Sequence, residues 1–305
     1  MNFSDNIGAL IYLRNKVQKW KNIALLLTIF FVTLLIKIIF FSSSNVIESD
    51  YVAQIKINDI ILEDEHRSKI LKEVSENDSI KAVIVRVNSP GGTIVGSEIL
   101  LQELLNIRKT KPLVVLMDSV AASGGYMVAL ASDYIVAHNG TLTGSIGVLM
   151  ESHEVTNLAD KIGVKFNTYK SSPLKGSPSM FEKSNANVEK VINESIQDSF
   201  EFFSDLVKAS RGNKIKPENF KTIFDGRVFT GRQALKYGLI DDIGGIRSVE
   251  NYLFKRKIDV TKIPVKEIDI EKKDKKLLNR FLGIFPFLNK LEGKNFQNKI
   301  MAITP

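Results

Sequence analysis

Two apolar, β-branched runs, each closing on a turn of small residues, constrain this chain more than anything else in it. Lys81–Val87 reads KAVIVRV and is broken by Asn88-Ser89-Pro90-Gly91-Gly92. Pro112–Met117 reads PLVVLM and leads into Ser119–Gly125, which closes on Ala-Ala-Ser-Gly-Gly. Short apolar runs without alternation are strands covered on both faces. Between them, Thr93–Ile107 places Ile94, Leu100, Leu101, Leu104 and Leu105 on a helical stripe. Strand, glycine turn, helix, strand is the βαβ unit of a parallel sheet, so an α/β fold is expected. Functional groups in such sheets gather beyond the C-terminal strand ends. Both glycine turns, at 88–92 and 119–125, lie there and are candidate neighbours in space.

The same reading gives a strand at Tyr51–Asn58, a polar helix at Asp64–Glu76, a helix at Tyr126–Ala131 and a third short strand at Asp133–Ala137. Asn187–Ser210 carries Val188, Val191, Ile192, Ile196, Phe200, Phe203 and Val207 and predicts a long amphipathic helix, ended by Arg211-Gly212-Asn213. Residues 222–245 read as strand, turn and short helix, and 257–268 as a strand. A soluble domain is thus expected over 51–268. Residues 269–305 follow as a basic hinge and an apolar segment, Leu277–Leu291, which Pro286 and charges interrupt too often for a membrane span. It suits a partner subunit or a membrane surface.

Ahead of the domain, Ile23–Phe41 (IALLLTIFFVTLLIKIIFF) is apolar except for Lys37. At roughly 1.5 Å per residue a helix of this length just crosses a bilayer core. Lys37 can snorkel to the far interface, and Trp20 sits where an interfacial aromatic belongs. Arg14, Lys16, Lys19 and Lys21 all precede the span, which puts the N-terminal segment 1–22 in the cytoplasm and the bulk of the chain outside it. A cleaved signal peptide is the competing reading. The long basic region and the lack of an A-x-A site after the span favour an uncleaved anchor over 23–41, followed by a linker over 42–50.

The formal net charge of +8 first suggests nucleic acid. The basic groups, however, flank apolar segments with no aromatic–basic platform, as a membrane surface would require. The absence of cysteine excludes a thiol nucleophile, a disulfide framework and a cysteine-ligated metal. No cofactor or metal site is expected.

Ser123, between Ala121-Ala122 and Gly124-Gly125, stands where a strand passes into a helix. The first helical amides lack partners and the helix dipole favours negative charge there. Glycines let a substrate approach the backbone. These are the needs of a serine nucleophile beside an oxyanion hole, although Ser-Gly-Gly taken alone reads more readily as a helix N-cap in a tight turn. The backbone amides of the Ser-Pro-Gly-Gly turn, Gly92 in particular, offer a second donor. The turn also reads as an anion nest, but no Lys-Ser or Lys-Thr follows to make a nucleotide loop. None of His66, His138 and His153 has a convincing carboxylate partner. A lysine base must be neutral, which burial among apolar groups favours. Lys170 and Lys175, in YKSSPLKGSPSMFE, are available, and each also reads as a solvated loop residue.

Four runs in order, VNSPGG, AASGGYMVALASDYIVAHNGTLTGSIGV, YKSSPLKGSPSMFE and DGRVFTGRQALKYGLIDDIGG, resemble signal peptide peptidase A in its short, membrane-anchored bacterial form. The similarity covers roughly residues 50 to 255. It implies a Clp-protease/crotonase-like α/β fold of repeated strand–helix units and a serine–lysine dyad. Ser123 matches the nucleophile, Lys175 the general base, Ser145 the serine that holds the lysine amine, and Gly92 and Gly124 the oxyanion donors. Lys170 matches a non-catalytic position. Met127 replaces a commonly aromatic residue, a change expected to reshape the substrate pocket, and Gly176 stands where many members have a polar residue. The resemblance further implies a ring-like homo-oligomer in which adjacent protomers share each dyad. It implies remnant signal peptides and other apolar, extended peptides as substrates, and a bacterial inner-membrane location with an extracytoplasmic catalytic domain. An acyl-CoA enzyme of the same fold needs neither the dyad nor the anchor, and a non-catalytic membrane scaffold requires that the dyad not assemble.

Overall fold

Apolar composition and helix geometry fix the N-terminal element. The computed structural model describes residues 3–41 and 49–271, with side chains described for 13–35 and 49–271. Helix α1 runs unbroken over Phe3–Phe41. Among the described residues, its stretch long and apolar enough to cross a membrane is Leu13–Leu35, none of it buried by protein. This begins ten residues before the expected Ile23, and the Lys37 side chain lies outside the described set. The two threonines of the stretch satisfy themselves within the helix. Thr28 Oγ1 donates to the Ala24 carbonyl at 2.8 Å and Thr33 Oγ1 to the Phe30 carbonyl at 2.9 Å, the back-bonding that Ser and Thr hydroxyls make on helices. The apolar segment Leu277–Leu291 and most of the linker lie outside the described residues.

The second unit begins at Asp50. In chain order it comprises β1 (Tyr51–Ile61), α2 (Glu65–Glu76), β2 (Ile80–Gly92), α3 (Ile94–Arg108), β3 (Leu113–Ala122), α4 (Gly124–Ala129), β4 (Tyr134–Ala137) and β5 (Leu142–Gly144). There follow α5 (Thr156–Lys161), α6 (Ala186–Arg211), a 3₁₀ turn, α7 (Phe220–Ile223), β6 (Val228–Thr230), α8 (Gly231–Lys236), β7 (Asp242–Ile243), α9 (Ile246–Lys255) and β8 (Val265–Ile268). The eight strands form one sheet. All pairs are parallel except β5 with β6, so the expected α/β architecture is met.

The apolar runs divide between the two faces as the pleat requires. Val83, Val85, Val87, Leu113, Val115 and Met117 join Leu100, Leu104 and Ile107 of α3 in the larger core. Ala82, Ile84, Val114 and Leu116 pack with Val249 and Leu253 of α9 on the other face. Three expectations are corrected. Residues 119–122, expected in a turn, continue β3 to Ala122, because β5 pairs with Val120, Ala121 and Ala122. The Ser-Pro-Gly-Gly turn does not end its strand. Ile60 and Ile61 of β1 pair with Gly91 and Gly92 beyond a register shift, and that pairing extends β2 through the glycines. The strand expected over 257–268 is confined to Val265–Ile268, which alone reaches the β1 edge.

One buried ion pair pins the end of α6 to the sheet. Arg211 Nη1 donates to both Asp241 carboxylate oxygens at 3.0 and 2.9 Å, Lys214 Nζ reaches Oδ1 at 2.5 Å, and the Ile135 amide of β4 donates to Oδ2 at 2.9 Å. Burial alone would raise the Asp241 pKa, but the Arg211 and Lys214 hydrogen bonds outweigh it and hold the group below the ordinary aspartate value. A depressed folded pKa stabilises above the unfolded value and is lost as pH falls through the folded one. Asp241→Asn is therefore expected to cost about 3 kcal/mol at neutral pH. The gap from wild type in denaturant melts should narrow progressively in acid; a pH-independent gap would contradict the assignment.

Candidate active site

Local pairing, not helix capping, sets the conformation of Ser123. β3 is flanked at its end by β2 on one side, through Ser89 and Ala121, and by β5 on the other, through Ala122 and Gly144. The Ser123 amide donates to the Gly144 carbonyl at 2.8 Å, and Thr143 Oγ1 donates to the Ala121 carbonyl at 2.6 Å. Held by these bonds, Ser123 takes φ 52° and ψ −122° at the head of α4. A non-glycine residue in such a region costs about 1–3 kcal/mol and survives only where its surroundings dictate it. Strained strand-to-helix serines are the form in which nucleophiles are presented in unrelated hydrolases. The Ser123 hydroxyl makes no capping bond, so its reading as an N-cap is set aside.

The Ser-Pro-Gly-Gly turn closes over the same point. Ser89 is fully buried; its Oγ donates to the Asp59 carbonyl at 2.5 Å and accepts from the Gly91 amide at 3.1 Å. Gly91 holds φ +118°, and a Cβ on it would lie 2.9 Å from the Gly124 nitrogen and 3.2 Å from Ser123 Oγ. A Cβ on Gly124 would lie 3.1 Å from the Gly92 nitrogen. The two turns thus pack backbone against backbone, and only glycine permits it at these positions. The expected proximity of Ser123, Gly92 and Gly124 is present. Ser89 was not singled out by sequence, although the first serine of the Ser-Pro-Gly-Gly turn was its visible signal.

Ser145 follows Gly144 as Ser123 follows Ala122, so the register of β3 and β5 places the two serines on adjacent strand ends. It too has a positive φ, 49°, and its amide donates to the Arg227 carbonyl at 2.9 Å. Met127, on α4, is buried in the larger core.

Within the chain, no hydrogen bond joins Lys175 to Ser123 among the described residues, and Lys175 is exposed. It lies on an arm, residues 148–185, whose only helix is α5 and several of whose large apolar side chains stand in solvent: Leu149 is 78% exposed, Ile162 68% and Tyr169 93%. Lys175 is exposed and, among the described residues, its side chain has no ion pair or hydrogen bond. Lys170 differs. Its amine is bound to the Glu182 carboxylate and approaches Ser177 Oγ at 3.5 Å, and that hydrogen bond holds the Glu182 pKa down. Among the histidines, His138 is exposed after β4 with its amide on Thr141 Oγ1 at 3.0 Å, and His153 lies exposed at the start of the arm. Among the described residues no group of histidine and carboxylate side chains could hold a metal ion.

The model of peptidase family S49 matches residues 106–259, just over half of the chain. The provisionally named protease slr0021 of Synechocystis is 36% identical over 176 residues, 58% of this chain and 62% of that protein. Protease 4 of Haemophilus influenzae is 35% identical over 185 residues, 60% of this chain and 30% of its own. A provisionally named signal peptide peptidase SppA of Enterococcus faecium is 37% identical over 175 residues, 57% of this chain and 50% of its own. The chain thus spans less than two thirds of each of these relatives. Among solved structures, a membrane-bound stomatin-specific protease in complex with a substrate peptide overlays with a TM-score of 0.45 at 17% identity, covering 75% of this chain and 97% of that one.

Proposed function

This chain belongs to peptidase family S49, and on that premise we propose that it is a membrane-anchored serine endopeptidase with Ser123 as nucleophile and Lys175 as general base. The observation that carries the reading is Ser123 itself: strained, uncommitted in its hydroxyl, and faced by a glycine turn that leaves room only for backbone. Neutral Lys175 takes the proton from Ser123 Oγ as Oγ attacks a peptide carbonyl. The Gly92 and Gly124 amides bind the oxyanion. The C–N bond then breaks, the lysine proton passes to the leaving amine, and water hydrolyses the acyl-enzyme with the same lysine as base. Ser145, on the adjacent strand end, holds the lysine amine.

The exposed position of Lys175 favours a dyad completed between protomers of a ring-like homo-oligomer. The arm's exposed apolar side chains supply an interface, and burial in an apolar interface favours the neutral form a lysine base needs. Ile60, Leu62 and Val95, each about half exposed, flank the Gly91-Gly92 turn. They suit apolar, extended substrates such as remnant signal peptides. With Arg14, Lys16, Lys19 and Lys21 all gathered at the N-terminal end of the apolar stretch, the chain sits in the bacterial inner membrane with the catalytic unit outside the cytoplasm.

One experiment tests both nucleophile and orientation. Intact spheroplasts expressing the full chain are treated with a membrane-impermeant fluorophosphonate, and the adduct is mapped by mass spectrometry. A single adduct on Ser123 without lysis is expected. Labelling only after lysis would reverse the topology, and labelling elsewhere or nowhere in active, detergent-solubilised protein would remove Ser123 as nucleophile.

A further inference from the structure

Ser97 and Ser204 are the two buried serines whose hydroxyls have no hydrogen-bond partner among the described residues, and of the two it is Ser97 that lies beside the candidate site. It lies on the first turn of α3, five residues beyond Gly92, and its amide donates to the carbonyl of the N-cap Thr93 at 3.0 Å. It is 1% exposed, and its Oγ is a buried polar atom with no hydrogen-bond partner among the described residues. Buried hydroxyls are nearly always bonded, and one left unbonded costs stability that alanine, a better helix former, would not. The hydroxyl nevertheless sits against one particular place. A Cβ on Gly124 would come within 2.2 Å of Ser97 Oγ and 3.2 Å of Ser97 Cβ, on the same side as the Gly92 nitrogen at 3.1 Å.

We propose that Ser97 is a positioning residue for peptide hydrolysis, its hydroxyl forming the buried wall that holds the Gly124 peptide against the Gly92 amide and fixes the spacing of the two oxyanion donors. The proposal rests on the reading of Ser123 as nucleophile. Gly92 ends β2 and Ser97 closes the first turn of α3, joined by the N-cap Thr93, whose own amide is held by the Ile61 carbonyl of β1 at 3.0 Å, while Gly124 begins α4. The Ser97–Gly124 contact is thus one of the places where the two halves of the hole are set against each other. The side chain has the right size, since Gly124 offers no room behind its Cα for a larger one. The hydroxyl is too deeply buried to touch substrate, so it acts through Gly124. Its uncommitted O–H dipole can also turn toward negative charge developing beside that peptide, without breaking another bond.

The test uses the full chain in detergent, with an apolar fluorogenic peptide and a peptide aldehyde, which forms an oxyanion-bearing adduct on the nucleophile. Ser97→Ala is expected to melt at or above the wild-type temperature and to keep its assembly size and KM. Its kcat should fall roughly tenfold, less than on removal of a direct oxyanion donor, with aldehyde affinity falling in parallel. Ser97→Cys, which keeps a rotatable donor, should recover part of the kcat. Wild-type kcat and aldehyde affinity in Ser97→Ala would overturn the proposal. So would a loss of kcat accompanied by a lower melting temperature, which would mark a packing role alone. Ser123→Ala separates the premise: if that variant still turns over, the nucleophile assignment fails instead.

Discussion

Alanine at Ser123 is expected to lower turnover of an apolar peptide roughly 10⁵-fold, with alanine at Lys175 costing about as much and the double variant no more than either. The size follows from the division of labour in a dyad. Without Oγ no acyl-enzyme forms, and without the amine Oγ stays protonated; the remaining rate is what the oxyanion amides and substrate binding provide. Both variants should fold as wild type. Ser123 Oγ makes no capping bond, and Lys175 is exposed without a partner among the described residues, so neither substitution removes a structural contact. Lys170 is the control that gives the comparison force. It is in the same serine- and proline-rich run, but its amine is committed to Glu182. Lys170→Ala should retain activity within about threefold, since breaking a partly exposed ion pair costs little. Steady-state kinetics on the four purified variants beside the wild type decides it. Equal turnover in Ser123→Ala and wild type, or a larger loss at Lys170 than at Lys175, would overturn the assignment.

The parts of this site that sequence reveals are those set by local chemistry. The runs at 81–87 and 112–117 are legible because strands covered on both faces tolerate almost no polar residue. Ser123 is legible because small residues crowd around it for want of space. What sequence hides is set by pairing across the fold. Pro90, Gly91 and Gly92 read as a strand break, yet β1 recruits the glycines into β2 through Ile60 and Ile61. A proline is tolerated there because its missing N–H is not needed at an irregular pairing. Ser97 reads as one more polar residue in a helix; only the approach of Gly124, twenty-seven positions along the chain, gives it meaning. The arm shows why Lys175 is matched through family resemblance while residue patterning alone leaves it level with Lys170. Its surroundings within one chain are solvent, and a partner group on another copy, which the proposed dyad calls for, would leave no periodicity in a single sequence.

A dyad shared between copies can be measured without a structure of the assembly. If each active site takes Ser123 from one protomer and Lys175 from its neighbour, the two inactive variants are complementary. A subunit carrying Ser123→Ala still offers its lysine, and one carrying Lys175→Ala still offers its serine. In a ring built on a repeated head-to-tail interface, random mixing in equal amounts makes a site intact when its serine donor and its lysine donor are both the unaltered kind, so about a quarter of wild-type activity returns. If instead the arm folds back on its own chain, every site in the mixture lacks one group and the mixture stays as inactive as its components. Co-expression of the two variants with different affinity tags, tandem purification and assay of the doubly tagged assembly separates these outcomes by orders of magnitude. Substituting aspartate for Leu149 or Ile162, both exposed on the arm, should abolish the recovered activity together with the assembly, because a charge desolvated in an apolar interface is not compensated there. Recovery that survives such a substitution would place the lysine's route to Ser123 somewhere other than through the arm's apolar face.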